Sequence, residues 1–173
     1  MEYALRALAQ RSLSAAELRT RLAKRVKNPE YSQDVDDPDQ ASADLIDAVL
    51  ERLLELKYLD DTQVARSENL RRGVGAYRVR ARLKQRGVEN EVIEATLSAR
   101  DEGDDLRQAA ELLQKRLSNL KRGSNPRAKA YGLLARRGYG GDTIRGALET
   151  VNWSALGDEE AGLPGGEDQP DEE

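Results

Sequence analysis

The sequence contains no histidine, no cysteine and no phenylalanine, and among its 173 residues it has one tryptophan and six tyrosines. Without histidine or cysteine there is no zinc site built on either residue. There is also no Ser-His or Cys-His dyad, no disulfide framework and no thiol redox motif. A long apolar run is missing too: no stretch approaches the roughly 20 residues of a membrane span. The first residues, Met1-Glu2-Tyr3-Ala4-Leu5-Arg6, lack the basic segment and apolar core of a secretory signal. These absences predict a soluble, cytoplasmic, non-membrane protein; an enzyme built on Lys, Asp or Glu would need positive evidence, and beyond scattered carboxylates the sequence offers none, so no catalysis, cofactor or metal is expected. Alternating β-branched runs and Asn-Gly hairpin turns are absent as well, so the fold class expected is all-α. Hydrophobic residues make up 38% and charged residues 35%. That supply is thin for one compact core. It predicts several small cores of Leu, Val, Ile and Ala in an elongated molecule.

Charge is abundant and segregated. The net charge is −4. By blocks it runs +5 over residues 1–27, −9 over 28–61, +5 over 62–100, −4 over 101–105, +7 over 106–149 and −8 over 150–173. The acidic overall balance therefore says little about what the basic blocks touch. Residues 154–173, rich in acids, Gly and Pro, are expected to form a disordered acidic tail. Residues 28–42, with Pro29, Pro38 and four aspartates, are expected to form an acidic loop between two helices.

Helix ends are explicit. Ser14-Ala15-Ala16-Glu17 reads as a capping box flanked by Leu13 and Leu18 as a hydrophobic staple. Asp60-Asp61-Thr62-Gln63 repeats it, with Leu59 and Val64 as the staple. Asn125-Pro126 is a third start. Gly87 and Gly138 follow Leu83-Lys84-Gln85-Arg86 and Leu134-Ala135-Arg136-Arg137, where a left-handed residue would end each helix. Val88 and Tyr139 would then pack back on Leu83 and Leu134.

A repeat underlies these signals. Leu83, Gly87, Ile93 and Leu97 recur 51 residues later as Leu134, Gly138, Ile144 and Leu148. An N-terminal copy runs through Leu18, Leu22 and Val26, then Ile46 and Leu50, stretched by the acidic loop. Further helical segments, Glu2–Arg11, Asp61–Arg72 and Leu106–Arg122, precede the copies. The architecture expected is three tandem three-helix repeats in an elongated, solenoid-like arrangement. Its units span residues 1–59, 60–100 and 106–153.

The ordered set of motifs resembles the RecX family, regulators of the RecA recombinase. It comprises Ala4-Leu5-Arg6-Ala7-Leu8-Ala9-Gln10-Arg11 with Ser14, Glu17-Leu18 and Leu22; Leu53 and Lys57-Tyr58-Leu59-Asp60-Asp61 with Ala65 and Arg66; Arg78, Leu83, Arg86-Gly87 and Ile93; and Leu134, Arg136-Arg137-Gly138-Tyr139 and Ile144. The likeness covers about residues 2–150. Tyr139 stands where the family usually carries Phe. The resemblance implies tandem three-helix repeats and a role in DNA repair, recombination and the SOS response. It also implies a monomeric modulator that binds the RecA–single-stranded DNA filament, in its helical groove, and mainly inhibits it.

Arg78, Arg80, Arg82, Lys84 and Arg86 crowd one predicted helix, with Arg71 and Arg72 upstream. Arg78, Arg82 and Arg86 share a face. Like charges at that spacing disfavour an isolated helix and require compensation from elsewhere. Single-sign clustering is the electrostatic footprint of nucleic-acid binding. Arg127, Lys129, Arg136 and Arg137, with Lys121 and Arg122, form a second basic group. The DNA or filament contacts expected are Arg71, Arg72, Arg78, Arg80, Arg82, Lys84, Arg86, Arg127, Lys129, Arg136 and Arg137. Ser14, Glu17, Asp60, Gln63, Gly87 and Gly138 are read as structural caps. Core packing is the role expected for most tyrosines, with Tyr77 the candidate for base stacking. Binding to single-stranded DNA, and to double-stranded DNA as well, would be sequence-indifferent. With about five phosphates engaged, the log–log salt slope would be roughly −3.5. Two alternatives remain: a nonspecific or helix-turn-helix DNA-binding protein acting without RecA, and a helical scaffold. Against the helix-turn-helix, Asn90-Glu91-Val92-Ile93-Glu94 is a poor recognition sequence, being acidic.

Overall fold

A computed structural model describes residues 1–26, 38–120, 122, 124–151 and 153. Among the described residues there are nine α-helices and no strand: α1 (Glu2–Gln10), α2 (Ala15–Val26), α3 (Pro38–Glu55), α4 (Asp61–Asn69), α5 (Ala76–Gln85), α6 (Asn90–Ser98), α7 (Glu102–Leu120), α8 (Pro126–Arg136) and α9 (Gly141–Glu149). The expected all-α helical repeat is what forms. Two helices start earlier than the sequence predicts. Helix α3 opens at Pro38, whose fixed φ suits a first turn, so part of the expected acidic loop is helical. Helix α7 opens at Glu102 rather than Leu106. There the Asp101 carboxylate accepts from the Gly103 amide at 2.9 Å, and the acid run fills the first turn, where the helix dipole favours negative charge. The expected acidic tail, 154–173, lies outside the described residues, as do residues 28–37 of the expected loop and Lys121.

Aliphatic side chains collect in three separate cores. One is built from Ala4, Leu13, Leu18, Leu22, Ile46, Leu50, Leu53 and Leu59 on α1–α3. A second holds Val64, Ala65, Val79, Leu83, Val88 and Ile93 on α4–α6. The third holds Ala109, Leu113, Ala130, Leu134, Tyr139, Ile144 and Leu148 on α7–α9. Leu59 and Val64 fall in different cores, so they do not act as a staple; their separation marks where one unit ends and the next begins. Every substantial helix–helix packing is within a unit.

The units join end to end through helix termini. Helix α5 begins against the end of α8: the amides of Gly75 and Tyr77 donate to the carbonyls of Arg137 and Gly138 at 2.9 and 3.1 Å. Helix α5 ends against the start of α2, where the Ser14 hydroxyl donates to the Arg86 carbonyl. The middle helices thus follow one another head to tail, α8 to α5 to α2, with the negative end of each dipole facing the positive end of the next.

Glycine makes both joints possible. Gly87 and Gly138 have φ of +73° and +82°. Each closes a Schellman turn: Val88 N–H to Leu83 C=O at 3.0 Å, and Tyr139 N–H to Leu134 C=O at 3.3 Å. A Cβ on Gly87 would sit 2.5 Å from the Ala16 Cβ, and one on Gly138 would sit 2.5 Å from the Arg78 Cβ.

Candidate functional site

The Ser14 capping box forms as predicted: the Glu17 amide donates to the Ser14 hydroxyl at 3.1 Å, and the Ser14 amide donates to the Glu17 carboxylate at 2.9 Å. Asp60 caps α4 by accepting from Thr62 and Gln63 amides at 2.8 and 3.1 Å. Gln63 contributes its backbone and not a reciprocal side-chain bond. Asp61 does something the sequence did not reveal. Its carboxylate reaches across to the first unit and accepts from the Ala15 amide at 2.9 Å. Burial pushes the Asp61 carboxyl above its ordinary value, against the pull of that amide.

The basic helix α5 proves to be heavily committed. Arg78 donates to the Arg136 carbonyl at 2.6 Å. Arg80 forms a two-nitrogen pair with Glu94 at 3.1 and 2.5 Å. Arg82 meets Glu68 at 2.7 Å, and Glu68, with only 5% of its side chain exposed, also holds Arg71 at 3.2 Å. Arg86 donates to Glu17 at 3.1 and 2.9 Å and to the Ser12 carbonyl at 2.7 Å. The compensation that the like-charge spacing demanded therefore comes from Glu68, Glu17, Glu94 and the carbonyls of Arg136 and Ser12. Burial alone would raise the Glu17 carboxyl. The Arg86 hydrogen bonds, the Ser14 amide and the charges of Arg86 and Arg11 outweigh it, so Glu17 titrates below its ordinary range.

Arg137 is half-buried and donates to the Gly73 carbonyl at 3.3 Å. Five of the expected contact residues, Arg72, Lys84, Arg127, Lys129 and Arg136, are exposed and have no side-chain partner among the described residues. The basic set thus divides between cations with partners, Arg78, Arg86 and Arg137 across units and Arg71, Arg80 and Arg82 within the second, and cations left to solvent. Arg72 and Lys84 belong to the second unit, and Arg127, Lys129 and Arg136 to the third.

Other residues carry weight that sequence patterning did not show. The Arg100 side chain is 9% exposed and joins Asp105 at the start of α7 (2.7 Å), Asn69 at the end of α4 (2.8 Å) and the Val74 carbonyl before α5. Its signal was weak, a lone Arg beside an acid run. Three tyrosines for which core packing was expected lie at the surface: Tyr3, Tyr58 and Tyr131 are 36%, 60% and 48% exposed, and Tyr77, the stacking candidate, is 63% exposed. Their helical spacing placed them beside apolar neighbours but not on the buried side. Tyr3 lies under Arg25, 4.6 Å from guanidinium to ring centre. Tyr139 is buried as expected, and its hydroxyl has no hydrogen-bond partner among the described residues. No group of three or more metal-ligating side chains forms among the described residues. None of their helices is long and apolar enough to cross a membrane.

Comparison with known proteins gives a consistent result. The family model described as RecX, third three-helix domain, matches residues 103–148. Regulatory protein RecX of Deinococcus radiodurans is 45% identical over 151 residues, which cover 87% of this chain and 67% of that one. Regulatory protein RecX of Chromohalobacter salexigens is 37% identical over 145 residues, covering 84% and 88%. Among solved structures, RecX from Lactobacillus salivarius superposes with a TM-score of 0.68 at 17% identity, over 86% of this chain and 92% of that one. At that identity the likeness speaks for the fold alone.

Proposed function

From the premise that the chain belongs to the RecX family of regulatory proteins, we propose that it modulates, and mainly inhibits, the RecA recombinase by binding the RecA–single-stranded DNA filament in its helical groove. It acts there as a cytoplasmic monomer without catalysis. The observation that supports this most is the division of the basic residues. Arg72, Lys84, Arg127, Lys129 and Arg136 are left without partners among the described residues on the second and third units. Three small cores joined largely through helix ends and loop contacts make a jointed body suited to following a groove. Phosphates or acidic recombinase patches would satisfy those cations. Arg71, Arg78, Arg80, Arg82, Arg86 and Arg137 each have a partner in the chain; they hold the joints and helices in shape, and their remaining donors can add to the contact.

The test is a titration of the chain into a RecA–single-stranded DNA filament, following ATP hydrolysis from well below one molecule per RecA subunit. Hydrolysis should fall. Replacing the five partnerless cations by alanine should weaken inhibition without lowering thermal stability, whereas Arg78/Arg82/Arg86→Ala should lower both. Undiminished hydrolysis at stoichiometric excess would overturn the proposal. It would leave a DNA-binding protein acting without RecA, distinguished by retention on a single-stranded DNA column.

A further inference from the structure

Where the first unit meets the second, a cleft of about 430 Å³ opens to solvent. That volume falls within the roughly 300–1,000 Å³ of small-ligand clefts, but its lining is ionic. Four guanidiniums, Arg11, Arg71, Arg82 and Arg86, face it together with two carboxylates, Glu17 and Glu68. Each carboxylate is shared. Glu17 holds Arg11 at 3.1 Å and Arg86 at 2.9 Å; Glu68 holds Arg71 at 3.2 Å and Arg82 at 2.7 Å. The cleft therefore carries a formal excess of two positive charges.

Donors are in excess as well. A guanidinium offers five N–H groups in a planar fork, and Arg11, Arg71 and Arg82 each commit a single nitrogen to their carboxylate. The buried Glu68 and the capping-box Glu17 hold the heads of Arg82 and Arg86, so those two have little side-chain entropy left to lose on binding, while the more exposed Arg11 and Arg71 are each tethered by one contact. Fixed forks with spare donors and net positive charge match the geometry of phosphate oxygens.

We infer that this cleft is a phosphate site and that it takes a phosphodiester of single-stranded nucleic acid. The inference rests on the nucleic-acid half of the proposed function and gives it a second kind of contact: a pre-organised pocket at the joint, apart from the open surface cations. Arg72, next in sequence to Arg71, is exposed and partnerless among the described residues, and it adds a further positive charge to this unit. A strand held there bridges two units and so fixes the angle between them.

The experiment uses the full chain with backbone amides followed by NMR. Two probes, inorganic phosphate and a single-stranded thymidine oligonucleotide, are titrated at constant ionic strength. Saturable shifts of the Ser12, Ser67 and Gln85 amides, which line the cleft, are expected with both probes, and at lower concentration with the oligonucleotide. Arg11→Gln combined with Arg71→Gln removes the two more exposed guanidiniums and leaves Arg82 and Arg86 on their carboxylates. This variant should abolish the phosphate shifts and make the oligonucleotide's log–log salt slope shallower by about 0.7, one phosphate contact on a single strand. Uniform or non-saturating shifts with both probes would overturn the site. Cleft shifts with phosphate but not with a bound oligonucleotide would overturn the phosphodiester assignment. An oligonucleotide that binds with the cleft amides unmoved would overturn the inference and leave the proposed function standing. An oligonucleotide that does not bind at all would sink both.

Discussion

At the residue scale, the molecule turns on carboxylates that hold two partners at once. Glu17 closes the capping box of α2 and also receives Arg86 from the second unit. Its folded carboxyl lies below its ordinary value of 4.5. A carboxylate depressed on folding contributes stability that is fully present above the unfolded value and is lost as pH falls through the folded one. Unfolding free energy should therefore drop as the solution is acidified below about pH 4.5. Glu17→Gln should be less stable at pH 7 and show a shallower acid limb, measured by denaturant titration at several pH values. Tyr139 makes the opposite kind of case. Burial raises its phenol, the Asp105 carboxylate adds to that, and its hydroxyl finds no acceptor among the described residues. An unsatisfied buried hydroxyl costs about 1 kcal/mol or more. Tyr139→Phe should raise the melting temperature and the free energy of unfolding by about 1 kcal/mol; a loss of stability would show that the hydroxyl is hydrogen-bonded.

At the element scale, the repeat was readable because each unit writes its helix ends in residue types with few other uses. Ser14 with Glu17, Asp60, Asn125-Pro126, Gly87 and Gly138 all stand where the sequence puts them. The starts of α3 and α7 were missed because α3 opens polar, as Pro38-Asp39-Gln40, just after an acid run and α7 opens within one, and such a stretch without apolar periodicity looks like a loop. The tyrosines were misplaced for a related reason: helical spacing locates a stripe but not its exact edge, and a ring at the edge can stay in water. The joints were invisible because they depend on residues far apart in the chain, such as Ser14 with Arg86, 72 positions on, and Gly75 with Arg137. Here Gly138 is the most exacting position. It needs a left-handed backbone and the absence of a Cβ facing the backbone of Arg78. Gly138→Ala should cost at least about 1 kcal/mol from the backbone conformation alone. It should also speed hydrogen exchange at the Gly75 and Tyr77 amides, which donate across that joint, more than at the Val79 amide within α5. Equal exchange at all three would show that the joint does not open.

At the scale of the whole molecule, the alternation of charge along the chain sets what a polyanion meets. The third unit presents Arg127, Lys129 and Arg136 to solvent, and the chain leaves that unit at Trp153, whose indole donates to the Leu148 carbonyl at 2.6 Å. Beyond it, the last 20 residues carry eight acids and no base. A tethered segment of that charge would compete with a nucleic acid for the same cations at high effective concentration. The competition is electrostatic, so it fades as the screening length shrinks from about 30 Å at 0.01 M salt to about 8 Å at 0.15 M. Deleting residues 157–173 should therefore tighten single-stranded DNA binding several-fold at low salt. The truncated and full chains should converge as salt rises. Fluorescence anisotropy across a salt series checks both statements. Neutralising the same acids to Asn and Gln should reproduce the deletion if charge rather than chain length is responsible. Identical isotherms for full and truncated chains at low salt would mean that the acidic segment does not reach the basic surface of the third unit. The cations there would then be open to a filament at all times.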